Sequence, residues 1–402
     1  MAVSFLNLEI SDLCLGKPAL KPIQAEATVS EALTALKKSG ETHVSVWSCD
    51  HTTRKVLEEG GGDSVCRCIG KICMVDAILF LCKKDNLVNP SKALQTPVSQ
   101  ILPKRNSIVR HLNPNSSLLE AIDYILEGAQ NLVIPIQNYR STPSRKKLLS
   151  KASSLSPTNH NGVEYCWLTQ EDIVRFLLNS IGVFSPLPTF SIESLNIINH
   201  DMMTVSYHDP AISSLDVINR AYIEQSSVAV VDEENLLIGE ISPFTLAYCD
   251  ETVAAAIATL SAGDLMTYID YGGPPEDLIE LVKMRLQDKK LGAMVELMDE
   301  EFSPSSSSSA SSCSSDDESG SSKVIVLGRY SSARRSEAIT CYPWSSLVAV
   351  MIQALAHRAN SIWVMDEDHN LIGVVTLKGI LEVFRSIANA RRRPERENTS
   401  KQ

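Results

Sequence analysis

The chain has 402 residues, 44% hydrophobic and only 5% aromatic, with a formal net charge of -11. That length serves two or more ordinary domains, or several small repeats, with largely aliphatic cores. The acidic balance excludes a general nucleic-acid binder, which needs a basic footprint, and no apolar run is long enough to span a bilayer.

The opening stretch "MAVSFLNLEISDLCLG" carries Glu9 and Asp12 and no basic residue ahead of its apolar ones, so it does not read as a targeting signal. Ten cysteines are spread along the chain, several inside apolar runs, as expected for reduced thiols of a cytoplasmic protein. In residues 13–85 a helix pattern, "TVSEALTALKKSG", puts Ala32, Leu33 and Leu36 on one face. The strand candidate "HVSVWS" follows, then a gap at 49–65 containing "GGG", then the strand-plus-helix phrase "CRCIGKICMVDAILFL". The same order recurs in 97–183. There "SSLLEAIDYILEGAQ" aligns Leu118, Ile122, Ile125 and Leu126, "NLVIPIQ" reads as a strand, and "EYCWLTQEDIVRFLL" closes the unit. Its internal loop, 138–162, is basic through Arg140, Arg145, Lys146, Lys147 and Lys151, and insertion at a hairpin tip costs little.

The third unit, 189–250, reads "AISSLDVINRAYIEQ", "SVAVVD" and "LLIGEISPFTLAYCD". Residues 251–302 form a helical insertion, including "PPEDLIELVKMRLQDKKLGAMVELM", that the sequence ties to neither flanking unit. Residues 303–322, "SPSSSSSASSCSSDDESGSS", have no apolar period and read as a disordered acidic linker. Ser314 and Ser315 there precede Asp317 and Glu318 by three positions, a spacing acidophilic kinases favour; a passive linker is the alternative. The fourth unit, 323–389, reads "SSLVAVMIQALAHRA", "SIWVMD" and "LIGVVTLKGILEVFRSI". In units three and four "DEEN" and "DEDHN" join the two strands as hairpin links. Ser30, Ser117, Ser214 and Ser346 stand at or near the helix starts as caps. The tail 390–402, with Arg391, Arg392 and Arg393, reads as disordered; its charge run is a solvated terminus, an acidic-surface contact or a nuclear signal.

A β-α-β-β-α unit whose last helix is entered by Gly, two apolar residues, Ser or Thr, and then Asp resembles the CBS domain. The stretch "IINHDMMTV", Ile197 to Val205, is similar to that family's opening phrase. The whole chain resembles the plant CBS-only proteins with four repeats and, more distantly, the gamma regulatory subunit of AMP-activated-type kinases. The resemblance implies an α/β (α+β) fold of four CBS repeats in two pseudo-twofold pairs, first with second and third with fourth. It also implies clefts between paired repeats that hold an adenine nucleotide. In such a cleft the hydroxyl sits at a helix start that attracts anions, the carboxylate takes the ribose hydroxyls, and a nearby cation meets phosphate.

Residue by residue, unit one supplies Gly70, Cys73 and Asp76 at the Gly, hydroxyl and carboxylate positions, and unit two supplies Cys166, Thr169 and Asp172. Unit three has Gly239, Ser242 and Thr245; unit four has Gly373, Thr376 and Gly379. Both carboxylates fall in the first pair, so Cys73, Asp76, Thr169 and Asp172 form the expected nucleotide site, with Ser242 and Thr376 a weaker one in the second. Lys71, Arg175 and Lys378 are the phosphate candidates. An Asp in the first helical turn also stabilises the helix with no ligand.

Other chemistries fit poorly. A P-loop around Gly70-Lys71 lacks its first Gly, since Val65 stands there, and has Ile72 for the Mg²⁺ hydroxyl. Cys66, Cys68, Cys73 and Cys82 lack zinc-knuckle spacing, so no metal is expected. Cys73, at a helix start where thiol pKa values fall, is a redox-sensing candidate. No Gly-x-Ser-x-Gly elbow or His-Glu-x-x-His occurs, and His200 and His208 read as surface or satisfied residues. The expectation is a non-catalytic regulator requiring no cofactor, with AMP, ADP or ATP as ligand and a kinase or metabolic enzyme as partner. The alternatives are a gamma-type subunit of a Snf-one-related kinase complex and a ligand-free scaffold. CBS pairs often associate, so the resemblance adds a homodimer.

Overall fold

A computed structural model describes residues 2–49, 66–103, 108–136, 163–270, 272–302 and 336–390. Nearly all of the loop 49–65, the basic loop 138–162, the Ser-rich linker, the start of the fourth unit and the tail after 390 lie outside those residues.

Four three-stranded sheets form, each with its first strand parallel and its third antiparallel to the central one. Unit one comprises β1 (Pro22–Gln24), α1 (Val29–Ser39), β2 (His43–Ser48), β3 (Arg67–Cys73) and α2 (Met74–Leu81). Unit two comprises β4 (Val109–His111), α3 (Leu118–Leu126), β5 (Asn131–Ile136), β6 (Glu164–Thr169) and α4 (Gln170–Asn179). Unit three has β7 (Thr204–Ser206), α5 (Leu215–Glu224), β8 (Val228–Val231), β9 (Leu237–Ile241) and a single helical turn, α6 (Pro243–Leu246). Between units three and four lie α7 (Val253–Thr259), α8 (Ala262–Tyr268), α9 (Glu276–Asp288) and α10 (Gly292–Glu301). Unit four has β10 (Thr340–Cys341), α11 (Leu347–Ala356), β11 (Ser361–Met365), β12 (Leu371–Thr376) and α12 (Leu377–Ala390).

Local chemistry sets the ends of these elements. Ser117 and Ser346 accept from the backbone N–H three residues on, as their positions predict. At α1 the cap is Thr28, not Ser30: Thr28 and Glu31 bond reciprocally, and Gly40 ends the helix in the left-handed region. Ser214 makes no cap bond, because a 3-10 turn, Ala211–Ser214, runs directly into α5. Both acidic hairpin links form as expected, with the Asp232 and Asp366 carboxylates accepting backbone N–H groups inside their own turns. The helix expected through Cys249 is instead broken after Leu246, where Asp250 accepts the backbone N–H and hydroxyl of Thr252.

The sheets pair as the sequence resemblance implies. Trp47, Cys66 and Cys68 of unit one meet Ile108, Val109 and Val133 of unit two. Ala229 and Val231 of unit three meet Trp363 and Val374 of unit four. The helices join the pairs crosswise. One core combines helices of units one and three, through residues such as Leu36, Ile78, Ile218 and Leu246. The other combines units two and four, through Leu118, Leu177, Met351 and Phe384. Full burial of each such side chain is worth about 1.5–3 kcal/mol. The helical insertion belongs to the first core: Val253 to Ile257, Val282, Leu286, Met294 and Met298 are all buried there. Arg285 and Lys289 donate to the carbonyls of Thr259 and Ala258 at the end of α7, meeting its unpaired acceptors.

Candidate functional site

The Gly of the repeated phrase has a steric reason. In each pair, the segment leading into one unit's first strand crosses the third strand of its partner at that position. A methyl group at Gly373 would lie 2.3 Å from Ile198 Cγ2 and 3.1 Å from the Asn199 carbonyl. Asn199 and Val374 meanwhile exchange two backbone bonds of 2.9 Å. At Gly70 the methyl would meet Leu102 at 2.9 Å, and at Gly239 the Ser336 carbonyl at 2.9 Å. Next to each of these three glycines the ladder slips in register, at Val46/Trp47, Val230/Val231 and Val364/Met365. Unit two, with Cys166 in the Gly position, keeps a regular ladder. The segment crossing there brings Cys14, whose thiol is hydrogen-bonded with that of Cys166.

Beyond Cys14 this segment covers the motif of unit two. The Leu20 N–H donates to the Tyr165 carbonyl at 2.8 Å, and Lys17 Nζ lies 2.6 Å from Asp172 Oδ1. Asp172 Oδ2 accepts the N–H and the hydroxyl of Thr169, both at 2.8 Å, which closes the start of α4. The Asp172 side chain is still 27% exposed. It faces a cavity of ≈ 240 Å³ lined by Lys17, Lys21, Glu41, His43, Trp167 and Thr169. His43 and Thr169 also line a second cavity of ≈ 170 Å³ where all four units meet, with Lys71, Asn131, Tyr222 and Asn360. Burial and the Lys71 ammonium push His43 down to about 3, so it stands there as a neutral ring. Burial likewise pulls Lys71 below its ordinary value, opposed by Cys73 and Asp76, and its Nζ donates to Asn131 Oδ1 at 2.6 Å. Gln130 lines the same cavity, and its Oε1 has no hydrogen-bond partner among the described residues.

The motif of unit one is differently placed. Asp76 is only 8% exposed, and its Oδ2 accepts the Cys73 N–H at 2.8 Å and the Tyr222 hydroxyl at 3.0 Å. Burial pushes its carboxyl up, against the bonds from Cys73. Cys73 reaches the central cavity, but burial pushes its thiol up to about 12, with the Asp76 charge adding to the effect. This overturns the redox-sensing expectation at Cys73: desolvation outweighs the helix start.

In the second pair, Ser242 and Thr245 are buried, and the Ser242 hydroxyl accepts the Phe244 N–H. Thr376 accepts the Gly379 N–H and lines a cavity of ≈ 510 Å³. Lys378 lines it too, beside the acidic Asp201, Glu224 and Glu382. Arg175 pairs with Glu171 along its own helix. His200 is exposed, with Nδ1 2.8 Å from the Ile372 carbonyl. Lys17, Lys21, His43 and Trp167 escape sequence reading, because the segment carrying the lysines is brought over unit two only by pairing. Among the described residues, no group of three or more His, Cys, Asp or Glu is placed to hold a metal ion, and no helix is long and apolar enough to cross a membrane.

The CBS domain family model matches residues 335–386. The fold as a whole is similar to a crystal structure of a Methanocaldococcus jannaschii protein put forward as an archaeal homolog of g-AMPK. The TM-score is 0.53 at 16% identity, covering 94% of this chain and 100% of that one. The SNF1-related protein kinase regulatory subunit gamma-like PV42b of Arabidopsis thaliana is 20% identical, covering 95% of each chain. CBS domain-containing protein CBSX6 of the same plant is 29% identical over 95% of this chain and 94% of its own. CBSX5, also from Arabidopsis thaliana, is 47% identical over 399 residues, 96% of this chain and 98% of its own. With four paired β-α-β-β-α units and that identity along nearly its whole length, the chain belongs to the CBS domain-containing proteins.

Proposed function

We propose that this protein is a non-catalytic regulator that binds one adenine nucleotide between units one and two and transmits the bound state to a partner protein. The observation that carries the reading is the surround of Asp172. A hydroxyl, a part-exposed carboxylate, an indole, a neutral imidazole and two lysines line one cavity, which shares His43 and Thr169 with a central cavity holding Lys71. The adenine ring packs against Trp167 and His43, and the ribose hydroxyls displace Lys17 from Asp172. The phosphates extend past Thr169 to the start of α4 and toward Lys71. A ligand held by both units restrains their relative orientation, and a partner that prefers that orientation responds to it.

Isothermal titration of the full chain with AMP, ADP and ATP tests this reading. One saturable event per chain is expected with at least one of them. Well-folded protein that gives no heat with any of the three is a ligand-free scaffold instead. A second reading, a gamma-type subunit of a Snf-one-related kinase complex, is favoured by the four-unit arrangement and by the similarity to a gamma-like protein. Co-expression with the alpha and beta subunits of such a kinase tests it, and failure to recover a ternary complex counts against it.

A further inference from the structure

Most described cysteines that lie away from another thiol are placed for inertness. Cys68, Cys82 and Cys341 are buried, and burial pushes each thiol up to about 12. Cys14 and Cys166 differ. They belong to different units of chain, 152 positions apart by numbering (166 less 14), yet both lie in the aliphatic core of units two and four with their sulfurs in contact. The contact is fixed on both sides. Ile10 and Ser11 donate to the carbonyls of Ser116 and Pro114, and Leu20 donates to Tyr165, the residue beside Cys166. Cys14 is 7% exposed and Cys166 fully buried, while Leu15, next to Cys14 in the chain, is 75% exposed. Within the pair the bond from Cys166 and the Lys17 ammonium hold the Cys14 thiol below its ordinary value, although burial opposes them. The same bond and burial raise Cys166. Cys14, the more exposed of the two, is thus the attacking thiol and Cys166 the resolving one.

We infer that Cys14 and Cys166 form a reversible disulfide that latches the segment 14–20 over the Asp172 cavity. The oxidant is hydrogen peroxide. The Cys14 thiolate attacks one peroxide oxygen, so that an S–O bond forms, the O–O bond breaks and the departing oxygen leaves as water after taking a proton. The Cys166 sulfur then attacks the Cys14 sulfur; the S–S bond forms, the S–O bond breaks, and a second water carries off the Cys166 proton. Two thiols have lost two electrons and the peroxide has gained them. The latch holds Lys17 against Asp172, and its effect on ligand entry rests on the nucleotide reading above.

The test uses the full chain. Peroxide treatment, alkylation of remaining thiols and non-reducing peptide mapping are expected to yield a linked Cys14–Cys166 peptide, lighter than its two parts by two hydrogens and released by a thiol reductant. Amide exchange across 10–20 is expected to slow in the oxidised protein, a readout that needs no nucleotide. The Cys14→Ser variant loses both effects while keeping its far-UV circular dichroism; should Cys166→Ser misfold, the Cys14 variant suffices. Both cysteines still alkylated after peroxide, or Cys14 carried to sulfinic acid without the linked peptide, overturns the disulfide. With whichever of AMP, ADP and ATP binds the reduced protein as the probe, affinity in the oxidised protein is expected to fall about tenfold, or about 1.4 kcal/mol. An unchanged affinity overturns the latch, whereas absence of binding of all three nucleotides to the reduced protein counts against the nucleotide reading and leaves the peptide map to decide the disulfide.

Discussion

Trp363→Ala is expected to lower the unfolding free energy by about 4 kcal/mol, within the range for deleting a buried indole. Trp363 is fully buried where the sheets of units three and four meet, against Ala229, Val231 and Val374. Its Nε1–H donates to Glu240 Oε2 at 2.7 Å, and Glu240 is itself buried. The substitution therefore opens a cavity in the pair interface and removes a hydrogen-bond donor from a buried carboxyl group. Trp363→Phe keeps most of the volume and loses only the donor, so its loss should be about half as large. Guanidinium midpoints with unchanged m-values measure both. A loss below about 1 kcal/mol for Trp363→Ala would mean that the pairing of units three and four does not depend on this contact.

Lys37→Met should cost about 3 kcal/mol near neutral pH, the low end for breaking a buried pair, since the Lys37 side chain is 28% exposed. Lys37 Nζ lies 3.0 Å from Glu251 and 2.7 Å from Glu301, joining α1 to the helical insertion. Asp250 is buried beside them. Burial pushes both Asp250 and Glu251 above their ordinary values, while Lys37 holds them down. The folded state thus binds their protons more tightly than the unfolded chain does. The stability these carboxyls contribute is complete below their unfolded values and is lost as pH rises through the folded ones. Burial opposes the charge on Lys37, but Glu251 and Glu301 outweigh it and raise its pKa. Its own contribution is therefore full at neutral pH and lost as pH rises through its folded value, and it shrinks in acid as Glu251, whose pKa is raised, takes up its proton. Removing it leaves the carboxylates to repel one another, so the deficit of Lys37→Met should be larger at about pH 7.5 than at about pH 5. A pH-independent deficit would mean that the lost methylenes, not the charge, account for the change.

Much of this fold is legible in the sequence because each unit is built from local signals. The helical spacing of Leu118, Ile122 and Ile125, the β-branched strands and the acidic hairpin turns all act over a few residues, and all form. The pairing of units follows from the repeated phrase, whose Gly marks where a partner segment crosses. What local signals do not carry is which non-local neighbour arrives. Asp76 and Asp172 are equivalent within their motifs, yet Tyr222 from unit three covers the first and Lys17 lies on the second. The helical start at Cys73 predicts a lowered thiol, but burial beside unit three outweighs it. The insertion has no repeat to match, and its place beside α1 is set by Lys37 and by the apolar faces of α9 and α10, none of which names its partner in sequence.

The nucleotide assignment is tested most directly by titrating whichever of AMP, ADP and ATP binds the natural chain into Asp172→Asn and Asp76→Asn side by side with it. Asn preserves an acceptor for each helix start, so both variants keep their caps. Loss of a charged hydrogen bond to the ribose, worth about 1.5–3 kcal/mol, predicts that Asp172→Asn weakens binding by about tenfold or more. Asp76→Asn should leave the affinity unchanged, because Asp76 is occupied by Cys73 and Tyr222. Undiminished binding in Asp172→Asn, or a loss confined to Asp76→Asn, would contradict the site.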